Sequence, residues 1–86
     1  MSRTLAFDRH GWEDYTYWQT QDRKALKRIS ALIKDVMRDP FTGIGKPEPL
    51  KHVLSGTWSR RIDYTNRLVY FVTDSHIVIL QARDHY

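Results

Sequence analysis

The chain has 86 residues, no cysteine, and 14 Lys/Arg against 10 Asp/Glu, for a net charge of +4 and a pI of about 9.6. That length fits one domain, residues 1–86, with a single modest core, and without cysteine there can be no disulfide, thiolate metal ligand or thiol nucleophile. The basic balance favours a polyanionic partner, either nucleic acid or an acidic peptide.

No apolar run approaches the roughly 20 residues of a membrane span. Met1-Ser2-Arg3-Thr4 precedes too short an apolar stretch for a secretion signal. The expectation is a cytoplasmic protein with no membrane partner. His10, His52, His76 and His85 show no metal-ligand spacing, so no metal is expected.

Thr4-Leu5-Ala6-Phe7 predicts a short first strand. Asp8 can cap a first helix that carries Trp12, Tyr15 and Trp18 at helical spacing. That spacing assigns the three aromatics to a core or an interface. Asp22 is a second N-cap. From Arg23 to Arg38, Leu26, Ile29, Leu32, Ile33, Val36 and Met37 share one arc. Lys24, Lys27, Arg28, Lys34 and Arg38 occupy the opposite one, which predicts an amphipathic helix. Pro40 stops it. Phe41 to Pro49 holds two glycines and two prolines and reads as a loop.

Trp58 to Tyr64 alternates, with Trp58, Arg60, Ile62 and Tyr64 on one face and Ser59, Arg61 and Asp63 on the other. Thr65-Asn66 predicts a turn. Arg67 to Thr73 and Ile77 to Arg83 predict two more strands, joined through Asp74-Ser75. The order implies an α+β domain, two N-terminal helices packed on one face of a largely antiparallel sheet.

Two places carry candidate chemistry. Glu48 is the only acid between Asp39 and Asp63, in a block that also holds Lys46, Lys51, Arg60 and Arg61. It lies between Pro47 and Pro49, which fix the backbone and limit where the carboxylate can wander. The competing reading is a surface carboxylate in a rigid loop. The second place is the end of the chain, His85-Tyr86. Termini normally fray and tolerate change, and a solvated tail histidine is the plain alternative. Imidazole is the side chain best suited to proton transfer near neutral pH. A carboxylate, a histidine and a group of cations are what phosphodiester cleavage by an internal 2′-hydroxyl requires. A base takes the 2′-OH proton, an acid protonates the leaving 5′-oxygen, and cations hold the phosphorane.

The same residues carry a resemblance. Gly-Lys-Pro-Glu-Pro-Leu-Lys-His at 45–52, Leu-Ser-Gly-Thr-Trp-Ser-Arg-Arg-Ile at 54–62, Arg67-Leu68-Val69-Tyr70 and the terminal His85-Tyr86 resemble the YoeB family of bacterial toxins. So do Tyr15-x-Tyr17-Trp18 and Pro40-Phe41-x-Gly43. That family belongs to the RelE-type ribosome-dependent messenger-RNA endonucleases. The resemblance implies a RelE-like βααβββ(β) fold and a toxin that cuts mRNA in the ribosomal A site.

It carries Glu48 onto the general-base position, His85 onto the general acid and Arg67 onto the phosphate clamp, a role suited to a planar guanidinium fork. The plain alternative for Arg67 is a salt bridge to Asp63. Arg61 and Lys51 become helpers. Lys46 and His52 become RNA contacts, and Tyr86 a stacking or phosphate-orienting ring. Arg60 ranks lower, because it alternates to the face opposite Arg61. Asp84 stands where this family's tail would show an aromatic.

The implied partners are the ribosome and its mRNA, and a YefM-like antitoxin with an acidic, partly disordered tail; a homodimer is also admitted. The basic arc of the second helix is either a solvated face or a contact for ribosomal RNA or the antitoxin. No cofactor is implied, since cations supply the electrostatic stabilisation. Two other readings use the same residues: a non-catalytic basic RNA-binding module, and a degenerate toxin kept as an antitoxin-binding co-repressor.

Overall fold

Asp8 and Asp22 set the helical half of the chain. In the computed structural model, which describes residues 2–84, strand β1 (Thr4–Phe7) runs into helix α1 (Arg9–Gln21). The Asp8 carboxylate accepts from the Gly11 amide at 2.8 Å. Asp22 closes α1 and opens helix α2 (Arg23–Arg38), its carboxylate accepting from the Lys24 and Ala25 amides. Both expected caps are therefore present, each satisfying amides that a helix start leaves unpaired. Gly11 marks where α1 lands on the sheet. A Cβ there would come within 2.1 Å of the Ile79 carbonyl oxygen, so only glycine permits the approach.

The sheet contains β2 (Glu48–Pro49), β3 (Thr57–Arg61), β4 (Arg67–Val72) and β5 (His76–Gln81), in the order β1-β5-β4-β3-β2. Only β1 with β5 is parallel. The apolar arc of α2 (Ile29, Leu32, Ile33, Val36) packs with Leu68, Tyr70, Ile77 and Ile79 to form the core. Full burial of each such aliphatic side chain contributes about 1.5–3 kcal/mol. The two-helix, largely antiparallel α+β architecture is the expected one.

Three local expectations need correction. Glu48–Pro49 is a two-residue strand rather than loop, with Glu48 opposite Ser59 and Pro49 opposite Trp58. An edge strand tolerates the proline. Strand β3 ends at Arg61, short of Tyr64, because the Asp63 carboxylate accepts from the Thr65 and Asn66 amides and turns the chain early. Alternation therefore fails at Tyr64, which is 98% exposed. The last strand stops at Gln81, with a register shift at Val69/Tyr70: Val69 faces Gln81 while Tyr70 faces Ile79. The unpartnered residue between them is Leu80, a bulge that re-aims the strand end.

Candidate active site

The face of the sheet away from the helices carries the candidate residues. Side chains alternate across a strand, so Glu48, Ser59 with Arg61, and Val69 with Arg67 share that face through the pairings Glu48–Ser59, Ser59–Val69 and Arg61–Arg67. Glu48 Oε1 accepts from Arg67 Nη1 at 3.0 Å. The carboxylate is 51% exposed and the guanidinium 17%. The acid and the arginine singled out from sequence are thus in direct contact, although 19 residues apart. Arg67 does not pair with Asp63, whose carboxylate is taken up by Thr65 and Asn66. Burial pushes the Asp63 carboxyl up, but the hydrogen bonds from Asn66 and Thr65 together bring it below its ordinary value.

Arg61 lies directly opposite Arg67 across the β3–β4 ladder, and its side chain is exposed. Two like charges at opposed positions cost stability. Glu48 offsets part of that cost, and an incoming anion would offset more. Glu48 also lines a shallow hollow of about 300 Å³ with Pro49, Leu50, Lys51, His52 and Val53. Lys51 and His52 therefore border the same hollow as Glu48. Lys46 is exposed and precedes Pro47 in a left-handed backbone conformation, φ 53°. Gly45 before it has φ 80°, and a Cβ there would lie 2.7 Å from Leu32 Cδ2. Its carbonyl accepts from the Arg61 amide at 2.7 Å, which fastens the approach to Glu48 onto β3.

Arg60 lies on the face opposite Arg61, as the strand alternation predicts. It is fully buried on the helix side of the sheet and takes no part in the Glu48 cluster. Its guanidinium pairs with Asp35 and donates to the carbonyls of Asp39, Thr42 and Ile44 and to the Tyr70 hydroxyl. The Tyr70 hydroxyl in turn donates to the Pro40 carbonyl at 2.7 Å. One arginine thereby fixes the whole turn between α2 and β2. Hydrogen bonds from Arg38, then Arg60, then the Ile44 amide hold the Asp35 carboxyl well below the usual carboxylate range. The Phe41 amide and the Thr42 hydroxyl lower Asp39. Burial raises Tyr70, outweighing the opposite pull of Arg60. Arg60 shares its phase with Trp58 and Ile62, and an arginine at a core phase must be paired.

His85 and Tyr86 lie outside the described residues. The chain leading to them is placed: the Asp84 amide donates to Asn66 Oδ1 at 2.7 Å, and its carbonyl accepts from the Arg67 amide at 3.0 Å. Among the aromatics of α1, Trp18 is core, Tyr15 packs against the core edge, and Trp12 is half exposed beside Phe7. Among the described residues no three His, Asp or Glu side chains converge, and no helix is long and apolar enough to cross a membrane.

A sequence model for the YoeB-like toxin of bacterial type II toxin–antitoxin systems matches residues 7–86. The chain belongs to that family. It is a toxin of a type II toxin–antitoxin system. It is 63% identical over 82 residues to a Toxin YoeB of Streptomyces coelicolor, covering 95% of this chain and 98% of that one. The YoeB dimer from Staphylococcus aureus superposes with a TM-score of 0.90 at 44% identity, with all of both chains covered. A YoeB–YefM complex from the same organism superposes with a TM-score of 0.86 at 42% identity, again over both full chains.

Proposed function

We propose that this toxin is a ribosome-dependent endoribonuclease that cuts mRNA in the ribosomal A site and so stops translation in the cytoplasm. The observation that carries the reading is the Glu48–Arg67 contact on an open sheet face, with a second arginine opposite. An exposed ion pair of this kind stabilises by only about 0–1 kcal/mol. A substrate phosphate can therefore take over the Arg67 fork and release Glu48 Oε1 from it. In this reading Glu48 is the general base, removing the 2′-OH proton as that oxygen attacks phosphorus. Arg67, with Arg61 and Lys51, holds the phosphorane, an electrostatic contribution that often dominates such catalysis. His85 gives its proton to the leaving 5′-oxygen as the P–O5′ bond breaks. The products are a 2′,3′-cyclic phosphate and a 5′-hydroxyl.

Lys46, His52 and Tyr86 bind RNA around the scissile phosphate. The ribosome holds the message in a reactive geometry, an effect that can contribute several kcal/mol. A YefM-like antitoxin with an acidic segment is the partner that restrains the toxin, in keeping with the YoeB–YefM complex. A homodimer is the proposed self-assembly, in keeping with the YoeB dimer.

The test is induction in bacteria followed by mapping of transcript 5′ ends, with Glu48→Gln in parallel. Cuts within translated messages are expected. Loss of a general base costs about 10² to 10⁴-fold, and Glu48→Gln should slow single-turnover cleavage by that much. Growth arrest with intact transcripts would overturn the nuclease reading in favour of a non-catalytic RNA-binding module.

A further inference from the structure

A buried acid that the proposed chemistry does not use is Asp14, 7% exposed in the middle of α1. Its Oδ2 accepts from the Ala82 amide at 3.0 Å, across 68 residues of sequence. It also faces His10, whose Nε2 lies 3.3 Å away. Four residues further along α1, Trp18 Nε1 donates to the carbonyl of the same Ala82 at 2.7 Å. Both backbone polar groups of Ala82, the residue after β5, are thus bound by α1 side chains.

The pattern continues toward the terminus. The Arg83 guanidinium lies 3.7 Å over the Tyr17 ring. The Arg83 carbonyl accepts from Gln81 Nε2 at 2.8 Å. Asn66 Oδ1 takes the Asp84 amide, and the Asp84 carbonyl takes the Arg67 amide. Asp84 itself sits at φ 64°, a left-handed conformation that aspartate adopts more readily than most non-glycine residues.

We propose that Asp14 and Asn66 are positioning residues that clamp the 82–84 backbone, on which the acid step assigned to His85 depends. Asp14 holds the start of the segment against α1. Asn66, from the β3–β4 turn, holds its end beside Arg67. Two side-chain anchors on rigid elements hold that backbone in place, and a misplacement of about 1 Å at a catalytic group can cost about 10²-fold. The inference rests on the nuclease reading, since it assigns His85 a task, but the clamp itself can be read separately.

The experiment is a double-mutant cycle on single-turnover cleavage of a ribosome-bound message, with amide hydrogen exchange on the same purified variants. Asp14→Ala and Asn66→Ala should each lower the cleavage rate about 10 to 100-fold while leaving the concentration for half-saturation of ribosomes unchanged. Asp14→Asn keeps an acceptor oxygen at that position and should recover most of the rate. In a His85→Ala background the alanine variants should add almost no further loss, because they act through the residue already removed. Losses that multiply in that background would overturn the proposal. If the wild-type protein cuts nothing, the nuclease reading fails, and hydrogen exchange decides the clamp alone. The Ala82 amide in Asp14→Ala and the Asp84 amide in Asn66→Ala should exchange at least about tenfold faster. Unchanged exchange would overturn the clamp whatever the activity.

Discussion

At Glu48 and Arg67, one contact answers a structural need and, in the proposed mechanism, a chemical one. The carboxylate relieves the repulsion between Arg61 and Arg67 on adjacent strands, and the guanidinium fixes where the carboxylate waits. Because the pair is partly solvated, its contribution to folding is small. Glu48→Gln should therefore change the melting temperature by no more than a few degrees, which is about 1 kcal/mol in a domain of this size, while abolishing most cleavage. Arg67→Lys tests the fork rather than the charge. Lysine offers a point charge where arginine offers two parallel donors. Cleavage should fall at least about tenfold, with ribosome affinity nearly kept. Wild-type rates in Arg67→Lys would mean that charge alone suffices.

Glu48 is legible in the sequence because it is the only acid in a long cationic stretch and is bracketed by prolines. Its contact with Arg67 is not, since nothing local says that Glu48–Pro49 pairs with β3. Asp14 and Asn66 escape notice for a similar reason. An aspartate in a helix and an asparagine in a turn look ordinary until the backbone of Ala82 and Asp84 is brought against them.

At the level of elements, the helices read well from sequence because caps and a 3.6-residue period are local signals. Strand ends read poorly because they depend on what the neighbouring strand and turn do. Asp63 ends β3 by capturing the Thr65 and Asn66 amides. Leu80 is an extra residue in β5 that only the register with β4 reveals. The turn between α2 and β2 is the extreme case: it looks like a flexible Gly/Pro loop and is instead tied by buried Arg60 to four residues and by Tyr70 to Pro40.

That tie makes stability depend on acid. The folded Asp35 carboxyl is held well below its ordinary value of 3.8 by Arg38, Arg60 and the Ile44 amide. The unfolded chain therefore binds that proton first as pH falls. The stabilisation is fully present at neutral pH and is lost progressively as pH drops below about 4. Melting temperature should fall with acidification in that window. Asp35→Asn should start lower at neutral pH and fall less steeply in acid. Arg60→Ala, which takes one of two arginine partners from Asp35 and the buried guanidinium from three backbone carbonyls, should lower the melting temperature on the order of 10 °C or more. Parallel acid curves for wild type and Asp35→Asn would show that other carboxylates govern the transition.

Across the whole molecule, net charge is a poor guide to how many cations meet a polyanion. Arg60 counts toward the +4 yet is fully buried and paired with Asp35. Arg61 and Lys51 are exposed near Glu48 and contribute to the field that an incoming phosphate chain meets. Binding of such a chain releases counterions, so log affinity should fall linearly with log salt, by about 0.7–0.9 for each phosphate neutralised. For ribosomes, Lys51→Ala and Arg61→Ala should each flatten that slope by nearly one such increment. Arg60→Met, if its melting curve shows a folded protein at the assay temperature, should leave the slope unchanged although the formal charge drops by the same amount. Binding isotherms at several salt concentrations, with all three variants beside wild type, make the comparison. Equal flattening by Arg60→Met would mean that overall charge, rather than the sheet face around Glu48, steers the toxin. A slope near zero in the wild type would mean that it docks on ribosomal protein instead of RNA.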